Sequence, residues 1–175
     1  MMAVTMAVMS STAVEAQSFG GPEAMKHKLV AGGSFGAGFS GNYFHLAVAP
    51  QLGFRLTRSL ELGVRLGYDL NYYGRGLGDY YAHFISGAAY ANIEVYRGFY
   101  FQAEYEKMCE LLSGQSIPGT TPKWFDSIFI GGGFRQYVDK GTSFVYYSIL
   151  YNLSWDYNSP YAMPFVIRVG YCFGI

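Results

Sequence analysis

Between positions 60 and 72 the chain alternates without a break. Leu60, Leu62, Val64, Leu66, Tyr68, Leu70 and Tyr72 are large and apolar. The residues between them, Glu61, Gly63, Arg65, Gly67, Asp69 and Asn71, are small, polar or charged. Successive side chains of a strand point to opposite faces, so this period of two predicts a strand between two different environments. The pattern recurs over 44–56, where Phe44, Leu46, Val48, Pro50, Leu52, Phe54 and Leu56 alternate with His45, Ala47, Ala49, Gln51, Gly53 and Arg55. It recurs again over 165–173. Pro50 lacks the N–H that a ladder needs and predicts a bulge. Less regular strands are expected over 29–39, 81–95, 99–107, 124–137 and 143–155. The total is eight, an even number, at lengths that suit tilted membrane strands.

The connections sort by length. Residues 57–59, 96–98 and 139–142 make tight turns after the second, fourth and sixth strands. Residues 73–80, 108–123 and 156–164 make longer links after the third, fifth and seventh. The first hairpin, through Ser40-Gly41-Asn42, is short on the long-loop side. Short turns at one rim and long loops at the other fit an outer-membrane barrel with both termini on the periplasmic side.

Which face meets which medium follows from side-chain size. The apolar face is continuous and bulky, as lipid contact requires. The other face reads as mostly Gly, Ala and Ser with isolated charges, which suits a narrow lumen better than a solvated surface. Rings gather at strand ends: Tyr43, Phe44, Tyr72, Tyr73, Tyr80, Tyr81, Trp124, Trp155 and Tyr157 toward the long loops, and Phe54, Phe99, Tyr171 and Phe173 toward the turns. Two such groups match interfacial girdles. The fold class expected is all-β, an eight-stranded antiparallel up-and-down transmembrane β-barrel.

Composition narrows this further. The chain has 175 residues, 14% of them charged and 19% aromatic, with 23 Gly. That length allows one domain, and the balance is the reverse of a disordered chain. Lys+Arg and Asp+Glu both number 12, so no basic field for nucleic acid exists. The longest charge-free run, 29–54, carries Pro50 and many glycines, which a membrane helix would not tolerate well. Residues 1–16 read as a signal peptide: an apolar stretch ends in Val14-Glu15-Ala16, small residues at the usual cleavage offsets, although no Lys or Arg precedes it. Residues 17–28 would form a periplasmic arm and 29–175 the barrel. Cys109 and Cys172 fall near opposite barrel ends, beyond disulfide reach, and predict two free thiols.

Several segments together resemble the small outer-membrane β-barrel proteins common in Bacteroidetes. They are the Ala16-Gln17 signal ending, Pro50-Gln51-Leu52-Gly53-Phe54-Arg55-Leu56-Thr57, Leu60-Glu61-Leu62-Gly63-Val64, Gly131-Gly132-Gly133-Phe134-Arg135 and Arg168-Val169-Gly170-Tyr171-Cys172-Phe173. The resemblance is one of pattern and covers nearly the whole mature chain. It implies a Gram-negative outer-membrane location. It also implies that the barrel-assembly machinery reads the terminal strand, whose final aromatic, Phe173, is here followed by Gly174 and Ile175.

The chemistry-bearing residues collect on the lumen side. Arg55, Glu61, Arg65, Asp69, Glu94, Glu104, Glu106, Arg135 and Arg168 share the inward register, with Gln51, Asn92 and Gln102 as hydrogen-bonding neighbours. Eight strands leave little room for water, so these charges are expected to pair as a structural plug. A polar path for protons or small ions is the competing reading. Catalysis would need a nucleophile beside His45 or His83, and neither His belongs to a recognisable motif. Gly131-Gly132-Gly133 lies within a strand with no helix after it, so it does not read as a phosphate loop. No cofactor and no metal is expected; the two Cys and scattered His give no zinc spacing. The function expected is a non-enzymatic outer-membrane protein, in contact with lipid, with loops 73–80, 108–123 and 156–164 open to an extracellular partner. A lipid-modifying enzyme acting on lipid A or phospholipid, or a narrow pore or solute-binding barrel, are the alternatives.

Overall fold

A computed structural model describes residues 28–40, 43–75, 78–113, 122–138, 142–157, 159–161 and 163–175. The expected signal at 1–16, and the arm at 17–28 apart from Lys28, lie outside these residues. Eight strands follow in order: β1 (Leu29–Ser40), β2 (Tyr43–Arg55), β3 (Leu60–Arg75), β4 (Gly78–Tyr96), β5 (Phe99–Ser113), β6 (Trp124–Val138), β7 (Ser143–Asn152) and β8 (Phe165–Gly174). Each pairs antiparallel with the next, and β8 pairs with β1, closing the barrel. Closure leaves no open sheet edge.

The alternation in sequence becomes an inside and an outside. Phe35, Val48, Leu52, Val64, Leu66, Phe101, Ile149 and Ile167 project outward and are exposed, Ile167 at 69%. Strand neighbours such as Gln51, Arg65, Gln102, Ser148, Leu150 and Arg168 point into the lumen and are buried. The exposed rings toward the turns include Phe54, Phe99, Tyr171 and Phe173; those toward the loops include Tyr81, Trp124 and Tyr157. The side chains of Tyr43, Tyr73 and Tyr80 fall outside the described set.

The lumen is less empty than its small residues suggest. Tyr90, Tyr100, Phe129, Phe144, Tyr146 and Leu150 are buried inside it. Glycines face these rings. A Cβ on Gly63 would stand 2.3 Å from Tyr90 Cζ, and one on Gly170 would stand 2.5 Å from Tyr146 Cζ. The small residues of the inward face are therefore the complement of large ones on neighbouring strands, which take up the space the glycines leave.

The turns carry local signals. Arg97 and Gly98 both have positive φ, 40° and 88°, the signature of a two-residue type I′ turn whose twist matches a hairpin. A Cβ at Gly98 would also meet the Arg135 carbonyl oxygen at 2.4 Å. In the β2–β3 turn, Thr57 Oγ1 accepts from the N–H groups of Ser59 and Leu60 at 3.2 and 2.9 Å, a side-chain bond that fixes such turns.

Three boundaries differ from the sequence reading. β3 and β4 remain paired as far as Arg75 and Gly78, so most of 73–80 is strand rather than loop. β5 runs on to Ser113, which shortens the following link. β7 stops at Asn152, so the link to β8 begins earlier than expected. Backbone pairing does not require alternating side chains, and residues 72–75 pair with 78–81 although their pattern has faded. Pro50 also acts differently. The β2–β3 register is the same on either side of it, Val48 opposite Tyr68 and Gln51 opposite Arg65. The ladder is interrupted without an inserted residue, so there is no bulge. The register shifts lie instead in β4–β5, between His83 and Phe84 and between Glu94 and Tyr96.

Candidate functional site

The nine lumen charges named from sequence all sit on inward positions, and all are buried. β2 carries Arg55; β3 carries Glu61, Arg65 and Asp69; β4 carries Glu94; β5 carries Glu104 and Glu106; β6 carries Arg135; β8 carries Arg168. Charged groups this deep need close partners, and the barrel supplies them in layers.

Nearest the short turns, Glu61 lies between two guanidiniums. Arg135 Nη1 donates to it at 3.0 Å and Arg55 Nε stands 4.0 Å away. Tyr90 Oη and Asn92 Nδ2 approach the same carboxylate at 3.4 Å. Glu94 completes the layer, accepting from Tyr137 Oη and from the Gly98 N–H at 3.1 Å. The Arg135 guanidinium lies against the rings of Phe144 and Tyr100 at 4.7 and 4.8 Å, contacts that stabilise a cation with little water around it.

The middle layer repeats this logic. Glu104 accepts from Arg65 Nη1 at 2.6 Å, from Arg168 Nη1 at 2.8 Å and from Gln102 Nε2 at 2.8 Å. Gln51 Oε1 accepts from Arg65 and from Tyr146 Oη, while Gln51 Nε2 donates to Cys172 Sγ at 2.9 Å. Arg65 packs on Tyr90, and Arg168 on Phe129. These ties join strands that are not neighbours in the barrel: β3 to β5, β5 to β8 and β2 to β7.

Toward the loops the character changes. Asp69 pairs with His45 Nε2 at 2.9 Å. Glu106 accepts from the Tyr161 hydroxyl, and the ion pairs among the described residues do not include it. Ala82, Phe84 and Met108 form an apolar cluster there, with Phe125 and Tyr161 packed against it. Tyr161 belongs to the β7–β8 link. Its ring meets Phe129 edge-on at 5.4 Å, and its carbonyl accepts from Trp155 Nε1 at 2.9 Å. Burial, followed by the nearby Glu106 carboxylate, pushes the Tyr161 hydroxyl well above the ordinary phenol value, so it remains a donor at any working pH.

Two features escaped the sequence reading. The inward tyrosines were available from strand parity: Tyr90, Tyr100 and Tyr146 occupy the same faces as the charges. Tyr161 had no signal, because it lies in a link without periodicity. Outside the barrel, His83 Nδ1 is 2.7 Å from Tyr68 Oη. Lys107 Nζ lies 3.2 Å from Asp126, and both are half exposed on the outer face. A His–Tyr pair supplies no activated Ser or Cys nucleophile. Among the described residues, no group of three or more His, Cys, Asp or Glu could hold a metal ion. Cys109 and Cys172 are both free and buried, near the loop end of β5 and the turn end of β8.

No protein-family model matches the chain, and no curated protein does. Among solved structures it is similar to the N-terminal β-barrel domain of Pseudomonas aeruginosa OprF, with a TM-score of 0.53 and 15% identity over 85% of this chain and 98% of that one. At that identity the likeness is one of fold, a closed barrel of eight antiparallel strands.

Proposed function

We propose that the chain is an integral outer-membrane β-barrel of a Gram-negative cell. In this reading it is non-enzymatic, and its lumen is a structural plug. The observation that carries this is the inversion of environments: the barrel exposes a belt of large apolar side chains and buries nine charged ones. A soluble barrel would show the reverse, because exposed apolar surface is costly in water and buried charge is costly without pairing. Lipid removes the first cost, and the two Arg–Glu–Arg arrangements offset the second. The short turns would face the periplasm together with both termini. The outward rings Tyr171 and Phe173 of β8 would present the terminal strand to the barrel-assembly machinery.

Contact with other molecules would then fall to the opposite rim, built from the extended β3–β4 hairpin and the β5–β6 and β7–β8 links. Rigid barrels commonly recognise partners through such segments. Outer-membrane fractionation and a heat-dependent gel shift test the insertion; a protein that stays soluble and migrates identically with and without boiling would sink it. Planar-bilayer recording tests the plug. Silence is expected, and steady single-channel steps would favour a pore instead. Lipid A and phospholipid profiles that change when the protein is expressed would favour an enzyme.

A further inference from the structure

One stretch of the outer wall departs from the bulky belt. On the outward face of β1, Gly33 stands two residues from Phe35 and offers no side chain. Pairing carries this gap sideways. Gly33 lies opposite Pro50 of β2 and Tyr171 of β8, and Tyr171 lies opposite Val145 of β7. The next row toward the loops, Val48–Phe35–Val169, is tall and exposed. The result is a groove of about 540 Å³ that crosses β2, β1, β8 and β7, with no charged residue in its lining. Its β2 end lies at Pro50, where the ladder to β3 is interrupted and the proline brings no N–H.

We infer that this groove seats one acyl chain of a membrane phospholipid. A side chain missing from one face of a strand leaves a slot about 6–7 Å long in the strand direction. That is wide enough for a hydrocarbon chain and too narrow for a helix, which needs about 10–12 Å. Eleven residues line the groove, against about 20–30 a side in a stable protein interface, so a second copy of the chain would find too little to hold. The volume falls within the range of about 300–1,000 Å³ found for small-molecule sites. In a bilayer no difference in hydrophobicity favours the slot over the plain belt. Packing does, because a chain lying in the slot touches walls as well as a floor. The groove is close to the turn-side rings Tyr171 and Phe173, so it would open to the periplasmic leaflet, which is built of phospholipid. The inference rests on the outer-membrane reading, and the experiment separates the two.

The full chain is refolded into vesicles of phosphatidylethanolamine and phosphatidylglycerol in equal amounts, both with palmitoyl and oleoyl chains. It is extracted into mild detergent and weighed by native mass spectrometry. One phospholipid is expected to stay on the unsubstituted protein, with the two headgroups in the ratio of the vesicle. Gly33→Leu fills the slot, and the retained fraction should fall about tenfold, equivalent to about 1.4 kcal/mol of lost affinity. A Cβ at 33 would stand 3.1 Å from the Ala49 carbonyl oxygen. Val48→Phe, which covers the slot from β2 and leaves β1 unaltered, should therefore repeat the loss without that strain. Gly87→Leu adds the same side chain to the outer face of β4, where a Cβ meets nothing within 4 Å, and should retain lipid as the unsubstituted protein does. Equal retention in all four proteins, loss in Gly87→Leu as well, a strong preference for one headgroup, or an unsubstituted protein with no lipid would each overturn the acyl seat and leave the barrel standing. A dimer that Gly33→Leu abolishes would assign the groove to a second copy and overturn it too. An unsubstituted protein without the heat-dependent gel shift would overturn the outer-membrane reading and the seat with it.

Discussion

Glu104 and Glu106 stand two residues apart on the same face of β5, and the barrel treats them in opposite ways. Glu104 is held by two guanidiniums from β3 and β8 and by an amide. Glu106 accepts from the Tyr161 hydroxyl of a link outside the sheet, with Ser86 and the Arg168 guanidinium near it but no ion pair to it among the described residues. The same side chain on the same strand is thus a cross-lumen tie in one place and a docking point for a connection in the other. Chemical type and strand parity place a residue inside; the partners that register brings to it decide what it does there.

Several substitutions would break or sharpen this contrast. The largest effect is expected for Glu104→Gln, which leaves Arg65 and Arg168 buried without their counter-charge. A loss of about 3–5 kcal/mol is expected, read as a lower urea midpoint for refolded barrel in lipid vesicles. A midpoint within error of the parent would refute the tie. Next is Gly63→Ala, whose added methyl meets Tyr90. Overpacking of this kind costs about 1–3 kcal/mol, and pairing it with Tyr90→Ala should recover part of that loss. If the double variant is only worse, the ring is not what limits position 63.

Glu106→Gln should cost about 1 kcal/mol or less, because an amide oxygen can still accept from Tyr161. A loss as large as that of Glu104→Gln would erase the distinction between the two glutamates. Lys107→Ala should lower the midpoint least, since its pair with Asp126 lies on the outer face near the loop-side ends of β5 and β6 and ties only neighbouring strands. A clear drop in midpoint there would mean that outward polar pairs matter more to this barrel than the lumen does.

The sequence exposes strands best where the two sides of the sheet differ most. Along 60–72 one side is apolar and the other polar, so parity alone identifies strand and face. Beyond Asn71 that contrast fades, and the paired extension to Arg75 and Gly78 leaves no periodic trace. The nine lumen charges were legible for the same reason as the strands. Their partners were not. Arg135 meets Glu61 across 74 residues of chain, and only the register around the ring brings them together. Pro50 predicted a bulge by a sound local rule, yet the strand keeps its register past the proline and gives up pairs instead.

The fit of Gly63 against Tyr90 also limits how this chain can drift over generations. An added Cβ at 63 meets the ring at 2.3 Å and the Leu52 carbonyl oxygen at 2.6 Å, so a smaller ring alone does not make room and the backbone of β2 must shift as well. At Gly170 the nearest atom is the Gly33 carbonyl oxygen at 2.4 Å, with the Tyr146 ring at 2.5 Å. Descendants of this barrel are therefore expected to keep glycine at both positions even where the facing ring is replaced.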